Sequence, residues 1–141
     1  MAAERRHDFS MTSAADQLEP MRGWLRGELA ALDLSHQDQW ALLTAVGELC
    51  ANSIAHAYGG EPGNPIRVSV ETFDDRLVIE VEDFGRPFDP DAYVRPDLDA
   101  LPGHGVGLHI VGLVADEVSF DTARPRGTRW TLVKYWRAIR T

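Results

Sequence analysis

The sequence is poor in cysteine and in positive charge, and it has no long apolar run. Cys50 is the only cysteine among 141 residues, so an internal disulfide is impossible and a reducing cytoplasm is the expected location. The net charge is −8 and the arginines are scattered, which argues against a nucleic-acid binder with a basic face. No segment suits a bilayer span or a signal peptide. We therefore expect one cytoplasmic domain over residues 1–141 without nucleic-acid or membrane partners.

The stretch LLTAVGELCANSIAHAY, residues 42–58, predicts the central helix of the fold. Its apolar residues recur at spacings of three and four, which builds one face for a core, and Ser35 with Asp38 suits its capped start. Its polar residues repeat every four positions and lie over one another: Thr44, Glu48, Asn52 and His56. This row is either a solvated stripe in which Glu48 bonds to Asn52, or one wall of a polar site.

Periodic patterns predict the other elements. An apolar stripe predicts a first helix over about residues 13–32, with Pro20 either in its first turn or at a kink. The further segments are an edge strand (7–11), two strands with alternating faces (66–71 and 77–83), a short buried helix (108–114) and two last strands (118–122 and 128–135). Together they indicate an α+β fold of two layers, a mixed but mainly antiparallel sheet with helices on one face.

Asp83 stands at the end of an apolar row. The parity of Leu77, Ile79 and Val81 continues to Asp83 and places its carboxylate on the buried side of the strand. Such a group is costly to bury unless something there binds it. Because Gly85 follows two residues later, an ordinary turn at the strand end is the other interpretation.

The segment after this strand contains two further signals. Residues 86–102 lack periodicity and contain four prolines, which is typical of a lid. GHGVG at residues 103–107 leads into a helix, where backbone N–H groups suit phosphate, although a glycine-rich turn alone is more often a plain loop. Thr128 shares its parity with Trp130 and Leu132, so its hydroxyl faces the interior. It is either a hydroxyl of the site or a threonine that opens the strand because of its β propensity.

Four motifs in this order resemble the Bergerat-fold ATPases of the gyrase, Hsp90, histidine-kinase and MutL superfamily. They are ELCANSIAHAY (48–58), EDFGRPFDP (82–90), GHGVGLHIV (103–111) and the Gly127–Thr128 pair. Within that superfamily the chain is most similar to the anti-sigma-factor serine kinases of bacterial partner-switching systems, the RsbW-type family. The first motif is the most specific one. It separates this branch from sensor histidine kinases, which also need a phospho-accepting helix region.

The resemblance implies a role for each matched residue. Asn52 would hold Mg²⁺ against the ATP phosphates, Glu48 would be the general base, and Asp83 would accept a hydrogen bond from the adenine amino group. Gly85 would let backbone and water reach the base, and Thr128 would support the adenine end. The residues implied to cradle the phosphates are Gly103, Gly105, Val106, Gly107 and Leu108.

The implied activity is that of an ATP-dependent protein serine/threonine kinase and anti-sigma factor. Its partners would be an anti-sigma-factor antagonist of the STAS type, which it phosphorylates, and a sigma factor or other regulator. A homodimer is implied by the resemblance alone. One departure is Pro87, which removes a backbone donor at the root of a lid over about residues 86–104. It keeps open an alternative, a non-catalytic module in which nucleotide controls a protein-binding face.

Overall fold

The computed structural model describes residues 3–90, 111 and 114–135. Within these residues no helix has the length and apolarity to cross a membrane. The elements are β1 (Arg5–Thr12), α1 (Leu18–Ala30), α2 (His36–Asn52), β2 (Pro65–Thr72), β3 (Arg76–Asp83), β4 (Glu117–Asp121) and β5 (Arg129–Tyr135). A 3₁₀ turn (Ala15–Gln17) precedes α1, and a π-helical turn (Ser53–Ala57) follows α2.

The five strands form one sheet in the order β1-β2-β3-β5-β4. Each neighbouring pair is antiparallel. The α+β prediction, with an open and mainly antiparallel sheet beside helices, is confirmed, and no parallel pair occurs among the described strands.

Alternating side chains decide which face of the sheet meets the helices. Directly opposite residues of antiparallel strands share a face, so the pairs Ile66 with Asp83 and Val81 with Trp130 lie on the inner face. The helices complete the core with Met21, Leu25 and Leu29 of α1 and Leu42, Ala45, Val46, Leu49 and Cys50 of α2.

The helix ends agree with the sequence in some places and differ in others. The Ser35 side chain accepts a hydrogen bond from the Asp38 N–H at 3.0 Å, as the capping pattern predicts. Pro20 lies in the first turn of α1, where a missing N–H costs little. The first helix begins at Leu18 rather than near residue 13, and α2 stops at Asn52 rather than running on as regular α-helix.

Parts of the predicted site lie outside the described residues. These parts are the glycine turn at 103–107 and the lid from residue 91 onward. Of the predicted helix at 108–114, only Val111 and Val114 are described; both are helical, and Val111 is fully buried in the core.

Candidate functional site

A buried carboxylate lies where β3 ends on the inner face of the sheet. Asp83 is only 2% exposed. The Ser53 hydroxyl donates to its Oδ2 at 2.7 Å, and the backbone N–H groups of Gly85 and Thr128 donate to Oδ1 at 3.2 and 3.3 Å. Burial is the main cause that raises the pKa of Asp83 above its ordinary value of 3.8, and these hydrogen bonds, with the nearby charge of Arg124, lower it in part. Neutral donors therefore fix the orientation of this carboxylate.

Two glycines allow the backbone to pack closely around this carboxylate. A Cβ on Gly85 would overlap the carbonyl oxygen of Ala57 at the end of the π-helical turn. Gly127 has a φ of +79°, and a Cβ there would overlap the carbonyl oxygen of Asp83. Only glycine fits the close backbone approach at either position, and Gly127 also needs its positive φ. Gly85 therefore has a packing reason in addition to the access role that the resemblance implies.

The Tyr58 side chain connects the end of the helical segment to two strands by hydrogen bonds. Its hydroxyl donates to the carbonyl of Pro65 at the start of β2 and accepts the N–H of Phe84 just beyond β3, both at 2.7 Å. This residue is the last position of the first motif, and the pattern alone gave it no role. The structure shows that it holds the helix end and the sheet edge together.

The polar row of α2 divides into residues with and without partners. The Thr44 hydroxyl donates to the carbonyl of Trp40 on its own helix at 2.9 Å. Glu48 and Asn52 are half-buried, and neither side chain forms an ion pair or hydrogen bond within the described part of the chain. The alternative in which Glu48 bonds to Asn52 is therefore wrong. A carboxylate and an amide one turn apart remain available to a ligand.

The π-helical turn changes the register after Asn52. The N–H of Tyr58 bonds to the carbonyl of Ser53, five residues earlier, at 3.1 Å. A spacing of four no longer stacks side chains in such a turn, and His56 is exposed. The same turn places Ser53 against Asp83, so the end of the α2 row and the buried carboxylate are neighbours. Turns of this type are frequent at functional sites.

Sequence reasoning missed Ser53, although it follows Asn52 directly. A serine beside a matched motif position has no periodic signal of its own. Only the parity of Asp83 hinted that a donor must meet it, because a buried carboxylate needs hydrogen bonds. That donor was not identifiable without the contact between α2 and β3.

Thr128 joins this corner to the root of the predicted lid. It is 1% exposed, its backbone exchanges hydrogen bonds with Asp83, and its Oγ1 accepts the N–H of Phe88 at 2.8 Å. The Phe88 ring packs edge-on against Trp130 with centroids 5.0 Å apart. The structure thus brings Asp83, Gly85 and Thr128 together as the motifs suggested.

The remaining implied site residues are not part of this geometry. Gly103, Gly105, Val106, Gly107 and Leu108 fall in the range that the structure does not describe. Among the residues that it does describe, no group of three or more His, Cys, Asp or Glu side chains is arranged to hold a metal. Mg²⁺ beside a nucleotide needs only one or two protein oxygens plus phosphates and water, so the free amide of Asn52 is compatible with it.

Comparisons with known proteins give the chain its relatives. It is 31% identical over 106 residues to the serine-protein kinase RsbW of Bacillus velezensis, which is 70% of this chain and 66% of that kinase. It is 28% identical over 118 residues to the anti-sigma F factor of Clostridium novyi, covering 79% of this chain and 80% of that protein.

A solved structure shares the fold. A Mycobacterium tuberculosis protein with RsbU and RsbW domains superimposes with a TM-score of 0.67 at 19% identity, over 94% of this chain and 33% of that one. The family model described as the histidine kinase-like ATPase domain matches residues 11–134. This range includes every site residue discussed above, and the chain belongs to the histidine kinase-like ATPase domain family.

Proposed function

We propose that this chain is an ATP-dependent protein serine/threonine kinase of a bacterial partner-switching system. Residues 1–141 would act as one ATPase domain with a lid over about residues 86–104. The observation that carries the proposal is the buried Asp83 carboxylate, which neutral donors orient beside the end of the helix that bears Glu48 and Asn52. The names of the kinase and anti-sigma relatives support the same activity.

Asp83 is proposed to recognise the adenine base. Its two oxygens accept three hydrogen bonds from the protein, and a carboxylate has about four acceptor sites. One acceptor site is therefore left for the adenine amino group. Gly85 and Thr128 hold the carboxylate through their N–H groups, and the Thr128 hydroxyl keeps a proton to donate toward the base.

The phosphates are proposed to extend from this corner along α2. Asn52 would hold Mg²⁺ through its amide oxygen, and the metal would neutralise phosphate charge. The N–H groups of Gly103, Gly105, Val106, Gly107 and Leu108 would cradle the phosphates. Asn52 directly precedes Ser53 in the chain, and this supports one continuous nucleotide site.

Glu48 is proposed as the general base. Its carboxylate lies one helical turn before Asn52, half-buried and unpaired within the described residues. It would take the proton from a serine or threonine hydroxyl of the protein substrate. The hydroxyl oxygen then bonds to the γ-phosphorus, the bond to the β-phosphate oxygen breaks, and ADP leaves.

The proposed substrate is an anti-sigma-factor antagonist of the STAS type, and the proposed second partner is a sigma factor or another regulator. Phosphorylation of the antagonist would leave the kinase free to hold the second partner. A homodimer and a cytoplasmic location are part of this proposal. The homodimer rests on the resemblance to the RsbW-type family alone, and the cytoplasmic location rests on the single cysteine, Cys50.

A transfer assay tests the proposal. Wild-type protein, γ-labelled ATP, Mg²⁺ and an antagonist from the same genome are expected to give labelled phosphoserine or phosphothreonine. Glu48→Ala should reduce transfer by roughly 10²- to 10⁴-fold, the usual contribution of a general base. ATP affinity, measured by calorimetry, should stay within about threefold, because Glu48 is not assigned to binding.

Glu80→Ala is the matched control. Glu80 is another half-buried carboxylate, but it points to the outer face of β3, so transfer should be unchanged. Transfer that survives Glu48→Ala contradicts the role of Glu48. Nucleotide binding without any transfer by the wild type supports the non-catalytic alternative instead.

A further inference from the structure

A cleft opens beside the Asp83 corner, between the segments that follow β3 and precede β5. Its volume is about 850 Å³. Three segments line it: residues 57–65 after the π-helical turn, residues 84–87 after β3, and residues 122–127 before β5. One lining residue, Arg124, pairs with Glu82 on the face of the sheet away from the helices, whereas Ala57 and Tyr58 of the lining belong to the segment that follows α2. We call it the arginine cleft.

The arginine cleft is locally basic in an acidic protein. Arg86, Arg124 and Arg126 line it, whereas Glu61 is the single acidic residue in its lining. Arg86 and Arg126 are exposed, and neither pairs with a carboxylate of the described residues. The whole chain carries a net charge of −8. Positive charge concentrated in one concave surface attracts an anionic ligand.

Arg124 fixes the floor of the cleft. Its side chain is 11% exposed, and its Nη2 pairs with Glu82 at 2.6 Å, while its Nε donates to the carbonyl of Arg126 at 2.9 Å. Its guanidinium lies 5.3 Å from the centroid of the Phe84 ring. Nη1 is covered and has no hydrogen-bond partner. Glu82 offsets the charge of Arg124, so contacts with an anionic ligand fall to Arg86 and Arg126.

The walls of the cleft also contain apolar side chains, beside the polar residues Glu61, Asn64 and Thr122. Three prolines (Pro65, Pro87 and Pro125) and two aromatic residues (Tyr58 and Phe84) line the cleft. A small inorganic anion gains nothing from such walls and fills little of the volume. An extended peptide with acidic and apolar side chains uses both the arginines and the apolar surface.

We propose that the arginine cleft binds an acidic, partly apolar peptide segment of a partner protein. Carboxylates of the segment pair with Arg86 and Arg126, and an apolar side chain packs between Phe84 and the prolines. This site differs from the proposed nucleotide pocket, because its lining shares Gly85 with that pocket but contains none of Glu48, Asn52, Asp83 or Thr128. The inference does not depend on phosphoryl transfer.

The test uses a capped hexapeptide of alternating glutamate and leucine and the ¹⁵N-labelled full chain. The peptide is expected to change the amide chemical shifts mainly of Gly85, Gly127 and neighbouring cleft residues. The double variant Arg86→Gln with Arg126→Gln should weaken binding about fivefold, as expected for two exposed ion pairs. Binding should also weaken as salt is added.

Arg26→Gln is the matched control. Arg26 is an exposed arginine on α1 that does not line the cleft, so its loss removes one positive charge and should leave peptide affinity unchanged. A peptide in which lysine replaces glutamate should not bind. The two substituted arginines, Arg86 and Arg126, are exposed, so the double variant is expected to fold. Its amide spectrum verifies this.

Three outcomes would overturn the proposal. One is equal peptide affinity in the double variant and the wild type. Another is that inorganic phosphate at equal ionic strength causes the same shifts while the peptide causes none, which would indicate a small-anion site. The third is that the cleft amides shift with protein concentration and not with peptide, which would assign the cleft to a second copy of this chain.

Discussion

Glu82 and Asp83 are neighbours in β3, and their carboxylates have opposite surroundings. Glu82 points to the outer face, where Arg67, Arg124 and Arg129 lie 3.6, 2.6 and 3.7 Å from it. Asp83 points to the inner face, is 2% exposed, and is held by three neutral donors without an ion pair. Adjacent residues of β3 thus differ in that Glu82 is in direct ion pairs, whereas Asp83 accepts hydrogen bonds from neutral donors.

The difference indicates which carboxylate serves structure and which serves a ligand. Cations around Glu82 offset its charge, and loss of its carboxylate would leave the largely buried Arg124 without its ionic partner, which destabilises the sheet. Burial raises the pKa of Asp83, and its hydrogen bonds and the charge of Arg124 lower that pKa only in part, so burying this carboxylate costs free energy of folding. The proposed adenine ligand would offset this cost by donating a hydrogen bond to the carboxylate.

Exchanging each carboxylate for an amide should separate the two roles most strongly. Asp83→Asn is expected to weaken ATP binding roughly 50-fold, because an amide donor would face the adenine amino group, at a cost of about 2–3 kcal/mol. Its unfolding free energy should not fall. Glu82→Gln should leave ATP affinity within about twofold and lower the unfolding free energy by about 2 kcal/mol.

Calorimetric titration with ATP and urea denaturation of both variants measure these quantities. The contrast between Glu82 and Asp83 is contradicted if Glu82→Gln weakens ATP binding as much as Asp83→Asn does. It also breaks down if Asp83→Asn unfolds more easily than the wild type.

Removing the donor to Asp83 should have a smaller effect. Ser53→Ala deletes the 2.7 Å hydrogen bond to Oδ2 and should weaken ATP binding about fivefold, which corresponds to about 1 kcal/mol. Ser13→Ala is the control, because Ser13 is also buried and makes two hydrogen bonds, to Glu61 and Asn64. Both variants should lose similar stability in urea; an equal loss of ATP affinity would contradict a positioning role for Ser53.

The pH dependence of stability should show the smallest effect. The folded state holds the Asp83 proton more tightly than the unfolded chain, because its pKa is raised above 3.8. Between the two pKa values the folded state therefore binds more protons, and stability falls as the pH rises. The unfolding free energy of the wild type minus that of Asp83→Asn should decrease from pH 3.8 upward and then level off above the folded pKa. A difference that is constant with pH would contradict this account of the carboxylate.

Local patterns predicted the fold well because its elements have clear periods. Alternating residues identified β2 and β3 with their correct inner faces, and the capping pair Ser35 and Asp38 identified the start of α2. The end of α2 was not predictable. The residues of the π-helical turn have the same apolar composition as an α-helix, so the sequence does not distinguish the two. The turn ends at Tyr58, whose hydroxyl contacts Pro65 at the start of β2 and Phe84 just after β3.

The site was predictable only where a residue conflicted with its pattern. Asp83 stood out as a carboxylate in an apolar row, and the spacing of Glu48 and Asn52 placed both on one side of α2. Ser53 and Arg124 do not conflict with their surroundings in the sequence. Their importance comes from partners 30 and 42 residues away in the chain, Asp83 and Glu82, which no local period encodes.

The sequence by itself determined the family, the order of the elements and the inward direction of Asp83, because motifs and side-chain parity are local properties. The tertiary structure alone decided what meets that carboxylate, where the α2 row ends and how three arginines come to line one cleft. These features depend on contacts between segments distant in the chain, and such contacts form only when burial of the shared core brings the segments together.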